Sequence, residues 1–161
     1  MSRLFYSAAI GVTLLATALV GPTPSPALLV LSKSDHVLSI VDPTTLAVLA
    51  QIPSGPDPHE VEASADGTLA FISNYGSGAY NTITVADLVQ QRALQTIDLG
   101  ALRGPRVLMF VAGKLWFTAE AAKAIGSFAP YTHTLDWVPG AVPPRTALLF
   151  VTRYATRTPA C

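Results

Sequence analysis

The chain repeats itself. A run of strand-forming residues, Leu28-Leu29-Val30-Leu31-Ser32, returns as Leu69-Ala70-Phe71-Ile72-Ser73 and again as Leu115-Trp116-Phe117-Thr118, about 40 to 45 residues apart. A second apolar run follows each copy: Val37 to Val41, Thr82 to Val85, then Ala124 to Phe128. A third spans Leu46 to Ile52, Arg92 to Leu99 and Thr134 to Val138. A fourth opens on proline and a cationic or imidazole residue: Pro58-His59, Pro105-Arg106, Pro144-Arg145. Self-similarity at such a period constrains a fold strongly, because one unit cannot bury its apolar face alone and must stack on its neighbours.

Four short strands per period is the pattern of a β-propeller blade. The expected fold class is therefore all-β: a partial β-propeller of about three four-stranded antiparallel blades, not closed, since closure takes about four to eight blades. Composition agrees. The 13 prolines and 11 glycines are scattered singly, and 12% of residues are charged, which suits short strands and tight turns. The middle period is the fullest: His59 to Ser64, the Asp66-Gly67 turn, Leu69 to Ser73, a glycine-rich loop, Thr82 to Ala86, then Ala93 to Leu99. Alternation in Thr82-Ile83-Thr84-Val85 predicts a half-buried strand, isoleucine and valine inward. Mature sequence opens at Leu28, the equivalent of a second strand, and a last opening strand is expected from Thr146 to Thr152.

The N-terminus reads as a targeting segment. Arg3 precedes an uncharged apolar stretch, Ala8 to Val20, and a proline-rich exit with Ser25 and Ala27 at the small positions a signal peptidase uses. The stretch is shorter than the roughly 20 residues of a membrane span. Residues 1–27 are thus expected to be a cleaved secretory signal, residues 28–152 the partial propeller, and residues 153–161 an irregular tail. The expected location is periplasmic or extracellular, with no membrane span after cleavage. The single cysteine, Cys161, cannot form an internal disulfide. A net charge of zero argues against nucleic acid as a partner.

Pro58-His59-Glu60-Val61, Ala65-Asp66-Gly67, Phe71-Ile72-Ser73-Asn74-Tyr75-Gly76 and Asn81-Thr82-Ile83-Thr84-Val85-Ala86-Asp87 carry a resemblance to the YVTN-type β-propeller repeat family, whose members are similar to surface-layer, lactonase-like and quinoprotein-like propellers. Ser32-Lys33-Ser34-Asp35 and Leu38-Ser39-Ile40-Val41-Asp42 resemble the same pattern. The resemblance implies closed propellers about twice this length, so the chain is expected to be a truncated or frame-shifted piece of a longer propeller, with a small self-associating protein as the alternative.

His59-Glu60-Val61-Glu62 suggests a metal cluster, but on a strand the histidine and the glutamates point to opposite faces, and zinc needs three or four converging ligands. The expected reading is a turn-entry histidine with solvated glutamates, with no metal and no cofactor. His36 and His133 match no ligand spacing. The residue after each repeat proline is more telling. His59, Arg106 and Arg145 open successive innermost strands, so blade rotation would bring all three to one channel mouth, a cationic seat for an anionic or carbonyl-bearing ligand. The competing reading has them fixing blade-to-blade packing. Phe71, Trp116, Phe117 and Trp137 are expected to form blade-to-blade core. Asp35, Asp42 and Asp87 are expected to cap turns.

The leading functional expectation is an exported, non-enzymatic binding or scaffold module with an unidentified small ligand or protein partner. The alternatives are an enzyme of the lactonase-like or quinoprotein-like class and a non-functional truncated product. Open blade edges would permit self-association.

Overall fold

The computed structural model describes residues 26–140. Most of the expected signal segment, Arg145, the strand expected at 146–152 and the tail lie outside the described residues. Three antiparallel sheets follow one another along the chain. The first holds β1 (Leu28–Ser32), β2 (Val37–Val41) and β3 (Val48–Pro53). The second holds β4 (Pro58–Ala63), β5 (Leu69–Asn74), β6 (Thr82–Asp87) and β7 (Arg92–Asp98). The third holds β8 (Pro105–Val111), β9 (Lys114–Ala119), β10 (Ala124–Ala129) and β11 (Thr134–Pro139). Each is a plain meander, every strand paired with its sequence neighbour. The sheets meet most closely at their opening strands, β4 against β8 and β1 against β4, and diverge outward. That radial stacking is the blade arrangement expected from the repeat.

Local chemistry explains the turns. Asp42 Oδ1 accepts the backbone N–H groups of Thr44 and Thr45 at 2.7 and 2.8 Å, and Asp87 Oδ1 accepts those of Val89 and Gln90 at 2.9 and 2.8 Å. These are the expected caps at equivalent places in two blades. Asp35 differs: its carboxylate takes the Ser32 hydroxyl at 2.5 Å. His36 and His133, both at positive φ, close hairpin loops.

Two apolar seams hold the blades together. Leu38, Ile40 and Ile52 of the first blade pack on Ala70, Ile72 and Ala86 of the second. Phe71, Ile83 and Val85 of the second pack on Phe110, Leu115 and Phe117 of the third. The Phe71 and Phe110 rings stack with centroids 5.5 Å apart. β6 is therefore buried on both faces rather than half-buried: Thr84 is inside as well, its Oγ1 accepting the N–H of Gly55 at 3.1 Å. The middle blade is covered from both sides, so alternation there sorts side chains between two seams rather than between core and water.

The second seam also holds a size exchange. Phe117 stands directly across from Gly126, where the second blade pairs Ile72 with Thr84. A Cβ on Gly126 would lie 2.3 Å from the Phe117 ring, so the aromatic fills the space the glycine leaves.

Two expectations are corrected. Phe71 and Phe117 are buried seam residues, but Trp116 is exposed on the face of the last described blade that has no described neighbour, and Trp137, on the Phe117 face, is exposed on the outermost strand, where the blades diverge. The first repeat is also offset by one residue. Leu31 pairs with Leu38 as Ser73 pairs with Ile83, so the structural counterpart of Leu69–Ser73 is Ala27–Leu31. Asp42 and Asp87 then coincide. A one-residue slip exchanges the faces of a strand, which is why Leu29 and not Val30 joins the seam.

Candidate functional site

Each four-stranded blade opens on a bulge. Pro58 pairs with Asn74 but Glu60 already pairs with Ser73, and the ladder also slips between Pro105 and Leu108. The extra residue leaves a backbone N–H without a ladder partner, and a side-chain hydroxyl of the second strand takes it. Ser73 Oγ accepts from Glu60 N–H and Thr118 Oγ1 from Val107 N–H, both at 3.1 Å. The bulge re-aims the residue after the proline, as bulges do. It frees His59 and Arg106 from strict alternation.

Both side chains come to rest against one ring. The His59 ring meets Tyr75 edge-on with centroids 5.0 Å apart, and the Arg106 guanidinium lies 5.4 Å from the Tyr75 centroid. The Tyr75 hydroxyl donates to Glu120 Oε2 at 2.7 Å, and Arg106 Nη1 donates to the same oxygen at 3.1 Å. Nearby, Lys33 Nζ bridges to Asp57 Oδ1 at 2.9 Å, and Asp57 Oδ2 accepts the Gly76 N–H at 2.8 Å. A line of polar groups thus runs along one rim across three blades. Arg145, the third expected member, lies outside the described residues.

The charges are arranged so that each cation has an anion. Arg106 is compensated by Glu120 and Lys33 by Asp57. Burial, with the positive fields of Lys33 and Arg106, pushes the His59 imidazole below its ordinary pKa, so it is neutral at pH 7. Its Nδ1 is buried and bonds to nothing in the described residues, since Glu60 Oε1 at 3.9 Å is too distant for a hydrogen bond. Arg106 uses Nη1 on Glu120, and a guanidinium has five N–H donors, so donors remain on a side chain about one-third exposed. The rim offers a neutral imidazole, a phenol and a guanidinium around one partly open spot.

The Tyr75 hydroxyl, and then Arg106, hold the Glu120 carboxyl below the ordinary carboxylate range despite partial burial. Stability from this group is therefore present above the ordinary glutamate pKa and lost as pH falls through the lowered value. Glu120→Gln is expected to flatten the loss of melting temperature between neutral pH and about pH 3. An unchanged acid limb in that variant would show that Glu120 carries none of it.

The two glutamates of His59-Glu60-Val61-Glu62 are not solvated as expected. Glu60 Oε2 accepts the backbone N–H of Leu108 at 3.2 Å, and Glu62 Oε1 that of Phe110 at 2.9 Å. Those N–H groups point out of the third blade, away from β9, and two carboxylates from the preceding blade satisfy them. Burial raises the Glu60 carboxyl above its ordinary pKa. Nothing in the sequence signals this, because the acceptors and donors are 48 residues apart. Among the described residues, no three metal-ligating side chains converge.

No family model matches the chain, and no curated protein matches it. Solved structures do. The hydrazine synthase of Kuenenia stuttgartiensis aligns with a TM-score of 0.62 at 18% identity, over 80% of this chain and 38% of that one. Dihydro-heme d1 dehydrogenase NirN, in complex with DHE, aligns with a TM-score of 0.61 at 18% identity, over 78% of this chain and 27% of that one. A streptogramin B lyase aligns with a TM-score of 0.58 at 17% identity, over 70% of this chain and 37% of that one. These neighbours are β-propeller proteins, and the chain spans less than two-fifths of each. The shared property is the fold: an all-β partial propeller whose three described sheets do not close.

Proposed function

We propose that the chain is an exported, non-enzymatic binding or scaffold module of β-propeller type, related to the YVTN repeat proteins, whose ligand seat is the rim where His59, Tyr75 and Arg106 gather. The observation that carries this reading is the convergence on Tyr75 of two bulge residues from different blades. Bulges fall at equivalent positions, and the residue within each differs between blades, His59 in one and Arg106 in the next. A neutral imidazole beside a guanidinium with spare donors suits a small carboxylate or phosphate better than a cation. The proteins it resembles in fold include enzymes by name, so an enzyme of the lactonase-like or quinoprotein-like class is the competing reading.

Isothermal titration with succinate and with inorganic phosphate tests it. At least one is expected to bind the full chain, and alanine at His59, Arg106 and Arg145 together is expected to abolish the heat. Unchanged binding with a lowered melting temperature would assign these residues to blade packing instead. Silence from both probes on the unaltered chain would sink the choice of ligand class.

A further inference from the structure

The His59 imidazole stands where the rim meets the seam between the second and third blades. The bulge turns it toward Tyr75, and its chain neighbour Glu60 reaches across that seam, Oε2 accepting the Leu108 N–H. Glu60 Oε1 takes no hydrogen bond among the described residues and lies 3.9 Å from His59 Nδ1. Nδ1 is buried without a partner. The ring is 25% exposed, and Nε2, also unpartnered among the described residues, is not buried with Nδ1. One nitrogen thus faces an uncommitted carboxylate oxygen, and the other is open to a ligand.

We infer that His59 couples the seat to protons: an anion arriving beside Arg106 draws one proton from solvent onto the imidazole, Nδ1–H then donates to Glu60 Oε1 and Nε2–H to the anion, and the seat holds anions more tightly in acid. This coupling rests on the rim being an anion seat.

A neutral imidazole carries one N–H, so it can donate to Glu60 or to an anion, and not to both. The protonated ring donates from both nitrogens. Closing the 3.9 Å gap by about 1 Å makes the first of these a charge-assisted hydrogen bond. It also gives a partner to a buried nitrogen that has none, and a buried polar atom left unpaired is costly.

The charges around the ring point the same way. Lys33, in the β1–β2 loop, and Arg106, on β8, are positive. Asp57, before β4, and Glu120, after β9, are negative, and Glu60 adds a third carboxyl from β4 itself. Tyr75, after β5, keeps its proton, because its bond to Glu120 and its burial raise the phenol. While His59 is neutral, the rim therefore has no surplus of positive charge with which to receive an anion. Burial, Lys33 and Arg106 keep it neutral while the seat is empty. An anion among them reverses that field, so the ring titrates at higher pH when the seat is filled. The added affinity is full below the titration point of the empty seat and is lost as pH rises through that of the filled seat.

The test is isothermal titration of the full chain with sulfate at about pH 8 and about pH 5, at one ionic strength. Sulfate is the probe because its own charge does not change over that range. Its affinity is expected to rise about tenfold toward the lower pH, the factor for a one-unit move in a titration point. Titrations in two buffers of different ionisation enthalpy should register proton uptake on binding. By NMR the His59 ring signal should titrate at higher pH with sulfate than without, while His36 and His133, in hairpin loops, show no response to sulfate. His59→Gln is expected to bind sulfate weakly and without pH dependence. Should that variant lose strand content, the ring signals of the unaltered chain decide. Glu60→Gln keeps an acceptor for the Leu108 N–H and should lower the His59 midpoint, and an unmoved midpoint would remove Glu60 from the coupling. Equal sulfate affinity at the two pH values would overturn the coupling and leave the seat standing. A pH dependence that survives His59→Gln would overturn it too, by assigning the proton to another group. Absence of sulfate heat at both pH values would also overturn it, and succinate and phosphate under the same conditions then show whether the seat falls with it.

Discussion

Phe117→Ala is expected to lower the unfolding free energy by about 3–5 kcal/mol, the range for emptying a buried aromatic site. Phe117 is 1% exposed and sits in the larger seam among Leu108, Leu115 and Phe128. The loss should be near the top of that range, because the site cannot collapse. Its floor is the backbone of Gly126, which has no side chain to move in. A domain of ordinary stability has about 5–15 kcal/mol in total, so the variant stands close to unfolding. Urea titration is the measurement. The midpoint should fall with the slope unchanged, which separates lost packing from a changed unfolded state. Tyr131→Ala, in an exposed turn, is the control and should cost under about 0.5 kcal/mol. Equal shifts in the two variants would refute the seam assignment. Gly126→Ala probes the same exchange from the other side and should cost about 1–3 kcal/mol through overpacking.

Glu62→Ala is the second large effect, expected at about 1.5–3 kcal/mol. The variant removes a charged acceptor and leaves the Phe110 N–H facing a seam with no partner of its own. Glu62→Gln should recover most of the loss, since an amide oxygen accepts in the same place. Glu60→Ala should cost less, because its bond to Leu108 is longer, 3.2 against 2.9 Å. Amide hydrogen exchange gives the site-specific readout. Phe110 should exchange faster in Glu62→Ala and Leu108 in Glu60→Ala, while β10 amides keep their protection. Uniform acceleration in all three sheets would mean that the glutamates act on global stability rather than on the β8 edge.

These bonds also explain how the opening strand of a blade avoids the hazard of an unpaired edge. A strand edge presents free N–H groups that invite pairing with another chain. Here the preceding blade answers them with side chains, so no extra strand is required. The solution depends on two blades stacked in one register, which is a tertiary property.

Much of the architecture was legible in the residues. Period-two runs such as Thr82 to Val85, bounded by Asp87 and the glycine-rich loop, mark strands because the pleat alternates side chains. Asp42-Pro43-Thr44-Thr45 and Asp87-Leu88-Val89-Gln90 mark turns because a carboxylate two residues back satisfies turn amides. The repeat itself dictated stacked blades, since each sheet has two apolar faces. The rim residues His59 and Arg106 were legible only as a recurring position after proline. Their meeting on Tyr75 was not, and neither was Glu120 as the group that binds both Tyr75 and Arg106.

The misreadings share a cause. Solvated glutamates, a half-buried β6 and buried tryptophans are all judgements about what lies beyond a strand. Alternation states which side chains share a face, and it is silent on what covers that face. By itself, then, the sequence determined the strands, their turns and their meander order, because those rest on local backbone chemistry and on contacts within one hairpin. The tertiary structure alone decided which face meets which blade, where the first repeat slips by one residue, and which carboxylates enter a seam. Those outcomes depend on groups about one blade apart in the chain, and their energies exist only once the blades are stacked.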